Sequence, residues 1–190
     1  MTRAHYHGPW RVDVTVRDSV ARPIPVSVAA LVRSIAAALD EAGAPSPASI
    51  GLTLSDDAEL AELNETHLGG SGPTDVLSFP LLPPEAFPPH PGTDGSGAAG
   101  RPAAPDFPLP PGRRPELGDI VISVERAVAQ AAAGRGGQTG DVRWSAADEL
   151  RLLATHGVLH VCGWDHAEPA EEAAMRAVEV RLLGLEVPRS

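Results

Sequence analysis

Lysine is missing from this chain: all fifteen basic residues are arginine, set against 25 acidic ones, for a formal net charge of −10. So acidic a total speaks against a generic, long-range attraction for nucleic acid and leaves only a local arginine patch as a phosphate contact. Cysteine is nearly missing too. A lone Cys162 cannot build an internal disulfide framework, and no disulfide partner is expected. No apolar run approaches the roughly 18 residues of a membrane span, so no membrane is expected among the partners. The opening Met1-Thr-Arg-Ala-His-Tyr-His7 has no apolar core of the secretory kind, and the cytoplasm is the expected compartment.

What is present is the material of a folded globule. Hydrophobic residues make up 43% of 190, enough for one full core and too few for two comfortable ones, so a single domain over 1–190 is expected. Val12 to Val16 alternates apolar and polar residues, the pattern of a half-buried strand. Ile24 to Ala42 carries apolar residues at helical spacing, with Gly43 as the stop. Ser49 to Leu54 returns to strand. Ser55, Asp56 and Asp57 then form an N-cap cluster opening a helix through Leu60, Leu63 and Asn64. Glycines from Gly69 break that helix, and Asp75 to Phe79 makes a short strand ended by Pro80. Residues 80–116 are packed with proline and glycine and lack any apolar period, which reads as a flexible surface insertion.

Leu117 to Ser123 has a continuous apolar centre and predicts an inner strand. Val124 to Ala133 is helical up to Gly134. Ser145 caps a helix running to about Cys162, with Asp148 or Glu149 completing the capping arrangement, and Glu168 to Leu183 forms a last helix. The expected architecture is α+β: a small mixed central sheet of about four strands, about five helices, and a zincin-like metal helix.

Chemistry concentrates in Leu153-Ala-Thr-His156-Gly-Val-Leu-His160-Val-Cys-Gly163-Trp-Asp-His166. His156 and His160 stand four apart on one predicted helix. At about 100° per residue their imidazoles lie within roughly 40° of each other, one turn apart. That separation suits two nitrogens reaching one cation at about 2.0–2.1 Å. Gly163 lets the chain leave through a left-handed turn that returns His166 to the same point. The expected group is one zinc ion on His156, His160 and His166; nickel, copper and iron also suit imidazole.

A structural zinc takes four protein ligands. Cys162 is the available fourth, but it sits about 200° around the helix from His160 and is expected to point into the core. Three ligands give an open site, and open coordination favours hydrolysis. The spacing matches that of metzincin peptidases, which carry glutamate directly after the first histidine as general base. Here that position is Gly157, so a metallopeptidase-like hydrolase lacks its proton acceptor.

Three separated segments extend the pattern: Pro73-Thr-Asp-Val-Leu-Ser-Phe-Pro80, Leu117-Gly-Asp-Ile-Val-Ile-Ser123 and His156-Gly-Val-Leu-His-Val-Cys-Gly-Trp-Asp-His166. In that order they resemble the blocks of the YbeY family, bacterial rRNA maturation factors regarded as single-strand endoribonucleases. The resemblance covers roughly residues 48–185 outside the insertion, with the histidine segment the most specific part. It implies zinc held by the three histidines, action on rRNA during ribosome assembly, and ribosomal small-subunit components as partners. The alternative is a non-catalytic, metal-stabilised ribosome assembly factor. One departure stands out. Where family members often carry an arginine shortly after the Leu-Asn pair, here Leu63-Asn64, this chain has Leu68 preceded by His67.

Around the histidines, Asp165 is the candidate catalytic group, orienting an imidazole or acting on water at the metal, set against a plain turn-capping role. Ser78 and His67 are the candidate substrate-binding residues. Asp75 and Asp119 sit at strand starts, where local hydrogen bonding is the expected role, and Ser123 is weighed as a substrate contact against packing or pairing on its strand. Glu149 lies two turns before His156 and is expected to be structural. Trp164 either stacks on a base or anchors the turn in the core. Arg135, Arg143 and Arg151 are candidates to supply positive charge. His5, His7 and His90 carry no expected role.

Overall fold

The computed structural model describes residues 1–91, 113–134, 144–166 and 168–184, with Leu68 described by its backbone alone. Arg135, Arg143 and most of the 80–116 insertion lie outside the described residues. Five strands, β1 (Thr2–His7), β2 (Trp10–Val16), β3 (Ala48–Ser55), β4 (Val76–Pro80) and β5 (Glu116–Ser123), form one sheet in the order β1-β2-β3-β5-β4. The pairs β2–β3 and β3–β5 are parallel, while β1–β2 and β5–β4 are antiparallel. Five helices accompany the sheet: α1 (Val28–Glu41), α2 (Asp57–Leu68), α3 (Val124–Ala133), α4 (Ala146–Val161) and α5 (Pro169–Leu183). This is the α+β class with a mixed sheet.

Alternation along the strands decides what each face covers. Ile120 and Ile122 of β5 join the main core, where Leu31 and Ile35 of α1 and Val158 and Leu159 of α4 are also buried. Val121, between them, points to the opposite face and meets Leu77 of β4 and Leu60 of α2 in a second, smaller cluster. β4 follows the same rule: Val76 packs towards the main core and Phe79 against the second cluster.

The structure adds one strand to those expected. β1 has a burial pattern exposed at nearly every position and is held by backbone pairing to β2, so no apolar period announces it. His5 and His7 sit there. α1 begins later than the apolar spacing suggests. Pro23 and Pro25 disfavour a helical residue before them, and Ser27 caps the helix by accepting the N–H of Ala30. The described start of the insertion is also packed rather than loose. It forms a 3-10 turn at Pro84–Ala86, and Phe87 is buried in the main core.

α4 is the helix on which the site depends. Ser145 and Asp148 close a reciprocal capping box at its start, and Trp144 donates its indole N–H to the buried carboxylate of Glu149. Its side chains from Leu150 to Val161 are buried on most sides, with His156 and His160 left half-exposed. Gly157 is what lets α4 approach the sheet. A Cβ there would lie 2.7 Å from Cγ2 of Ile120 and 3.3 Å from the Ser78 hydroxyl.

Candidate metal centre

At its C-terminal end α4 finishes in a Schellman turn. Gly163, at φ +85°, donates its N–H to the His160 carbonyl, and Trp164 donates to the Leu159 carbonyl. The left-handed residue reverses the chain so that His166 comes back over the helix end. Ring centroids lie 4.5 Å apart for His156 and His160, 5.1 Å for His160 and His166, and 5.9 Å for His156 and His166. One ring nitrogen from each falls within 4.8 Å of the other two, so the three imidazoles converge on one point.

Hydrogen bonding fixes which nitrogens face that point. The Trp164 carbonyl can only accept, so the His160 Nδ1 at 2.8 Å must carry the proton and donate to it. Nδ1 of His156 donates to the carboxylate of Glu179 on α5 at 2.6 Å. In the neutral rings each Nε2 presents a lone pair, and the two Nε2 atoms lie only 3.0 Å apart. Two lone pairs so close repel each other unless a cation or a proton lies between them. Burial pushes the His160 pKa down to about 4, and the neighbouring His156 and His166 push the same way. Its lone pair is free at neutral pH. This donor set fits one divalent ion with a preference for imidazole.

Cys162 takes no part in that cluster. It is buried in the main core, as its angular position on the helix required, and burial pushes its thiol up to about 12. Its thiolate, the form that binds metal, is thus disfavoured.

A cleft of about 550 Å³ opens beside the histidines, with Thr74, Asp75 and Ser78 on one wall and Asp165 at the turn. Ser78 donates its hydroxyl to the Gly157 carbonyl at 3.1 Å, tying β4 to the metal helix. Asp165 accepts the His166 backbone N–H at 2.7 Å while its own N–H goes to Glu171, and both bonds are those of a turn cap. Glu179 and the Trp164 carbonyl orient His156 and His160. Asp75 accepts from the Val76 N–H and from the Gln130 amide. Ser123 caps α3.

Other expectations lie away from the cleft. His67 sits at the end of α2, edge-on to Phe79 with ring centroids 5.5 Å apart, and does not line the cavity. The Leu68 side chain lies outside the described residues. Arg151 bonds Ser34 of α1 and pairs with Asp148, far along α4 from the histidines. Trp164 is buried, with its face covered by the His90 ring. Among the described residues that line the cleft there is no arginine. Sequence reasoning missed Glu179, whose place beside His156 is set by helix packing and by no local spacing.

Comparison of the sequence with known proteins points to one family. The family model described as endoribonuclease YbeY matches residues 17–185. The endoribonuclease YbeY of Salinispora tropica is 43% identical over 147 residues, covering 77% of this chain and 79% of the relative. That of Symbiobacterium thermophilum is 40% identical, covering 84% and 87%, and that of Roseiflexus castenholzii 36% identical, covering 91% of each. On the extent of the model match and on these identities, the chain belongs to the endoribonuclease YbeY family.

Proposed function

We propose that this chain is a zinc-dependent, single-strand-specific endoribonuclease acting in rRNA maturation and ribosome assembly, with one ion held by His156, His160 and His166. The observation that carries the reading is the pair of facing Nε2 atoms, 3.0 Å apart, each turned inward by a hydrogen bond at its Nδ1. Three protein donors match the count of catalytic rather than structural zinc. A bound zinc ion supplies Lewis-acid charge to a phosphodiester and lowers the pKa of water.

The chain's own residues do the rest. Glu179 and the Trp164 carbonyl hold two imidazoles in the donor tautomer, and Ser78 fixes the wall of the cleft against the metal helix. Asp165, exposed and lining the cleft next to His166, is the candidate to hold a proton there. With no arginine lining the cleft among the described residues, the ion supplies the main positive charge for an RNA backbone. Ribosomal small-subunit components as partners and a cytoplasmic site of action follow from the family reading. No helix of the described residues is long and apolar enough to cross a membrane.

The chain's net charge of −10, with no arginine lining the cleft among the described residues, favours one second reading, a non-catalytic assembly factor rigidified by its metal. The peptidase reading finds no support, because the position of the metzincin glutamate, Gly157, is packed against Ile120 with no room for a side chain. Elemental analysis of the purified protein, paired with cleavage of single-stranded rRNA by wild type and His160→Ala, separates the two that remain. Zinc near one equivalent, with cleavage lost in a folded variant, is the expected result. Metal-loaded wild type that leaves the RNA intact would leave only the assembly factor.

A further inference from the structure

The proline-rich segment after β4 grips the metal-bearing turn at two points. Pro84 packs on Gly163, where a Cβ would lie 3.1 Å from both Cα and Cβ of that proline. Further along, the His90 ring lies parallel to the Trp164 indole, with 4.2 Å between centroids and 11° between planes. Its Nε2 lies 3.2 Å from the Gly163 carbonyl and 3.6 Å from Oε1 of Glu171, and that same oxygen accepts the Asp165 N–H at 2.9 Å. The His90 side chain is 7% exposed and that of Glu171 9%, so these contacts act where little water competes. Phe87, buried three residues earlier, anchors the segment in the main core.

We propose that His90 is a positioning residue that clamps the Gly163–His166 turn, setting both the third ligand, His166, and the Trp164 carbonyl that orients His160. The inference rests on the metal reading above and deepens it, because it gives a task in the site to a residue outside all three family segments. The turn between Gly163 and His166 has no regular structure of its own. Its described backbone N–H bonds run to His160, Leu159, Glu171 and Asp165, and the stacked His90 closes the indole face that solvent would otherwise reach. Without the clamp the turn moves, and the geometry of two of the three donors moves with it.

The test compares His90→Ala and His90→Phe with wild type in the full chain. Phenylalanine keeps the stack and loses the bond to Gly163. Two readouts are needed: amide hydrogen exchange at residues 164–166 in metal-free protein, and zinc affinity by chelator competition with the visible spectrum of the cobalt form. H90A is expected to raise exchange at the turn about tenfold and to weaken zinc about tenfold with an altered cobalt spectrum. H90F is expected to fall between, about threefold from wild type in affinity. Unchanged exchange in H90A overturns the clamp. Faster exchange with wild-type affinity and spectrum overturns the positioning role. Should H90A fail to fold, H90F decides, and affinity equal to wild type overturns the proposal. If wild type itself binds no zinc, the metal reading has failed, and the exchange measurement still judges the clamp by itself.

Discussion

An imidazole whose Nδ1 is committed to an acceptor can offer only the lone pair of its Nε2, and the site uses that rule twice. The Trp164 carbonyl enforces it on His160 by geometry, while Glu179 enforces it on His156 with a charge. Glu179 is therefore expected to tune affinity without holding the fold. Glu179→Gln should weaken zinc binding about tenfold while the metal-free protein melts close to wild type. Chelator competition measures it, and an affinity within experimental error of wild type would remove Glu179 from the site. At this scale the sequence was informative for the three histidines, because an i, i+4 pair followed by a glycine turn is a local geometry that spacing alone encodes. Glu179 and His90 were illegible for the opposite reason. Each reaches the site through tertiary packing, and neither has a neighbour in the sequence that marks it.

Among the elements, those with their own signals were read at nearly their observed bounds. α4 carried its capping box, α3 its terminal glycine, and β5 its unbroken apolar centre. β1 had none of these, since a strand exposed on both faces leaves no period to detect. The stretch 81–91 misled for another reason: proline removes helical and strand periodicity whether or not the chain is packed, and what it buries, Phe87 with Leu82 and the His90 side chain, follows no period. Gly157 shows how tightly α4 meets the sheet. Gly157→Ala would drive a methyl into Ile120, whose Cγ2 lies 2.7 Å from the new atom. A cost of about 1–3 kcal/mol is expected in urea unfolding, outweighing the better helix propensity of alanine. Stability equal to or above wild type would mean that α4 sits further from β5 than described.

For the whole molecule, the proposed zinc reading links ion binding to folding, because the three histidines converge only once α4 and the turn after it are assembled. At about a hundredfold excess over the dissociation constant, a ligand of the native state alone contributes about 2.7 kcal/mol, so stripping zinc with a chelator is expected to lower the melting temperature by about 5–10 °C. His156→Ala should show no such response, and a wild type that melts identically with and without zinc would argue that the ion is not part of the native state. The three donors also differ in how firmly the fold holds them. Two ride on a helix embedded in the main core, the kind of element expected to open last; the third rides on a short exposed hook. On the proposed zinc reading, loosening of the hook needs no opening of α4, so exchange of one ion for another is expected to outpace unfolding.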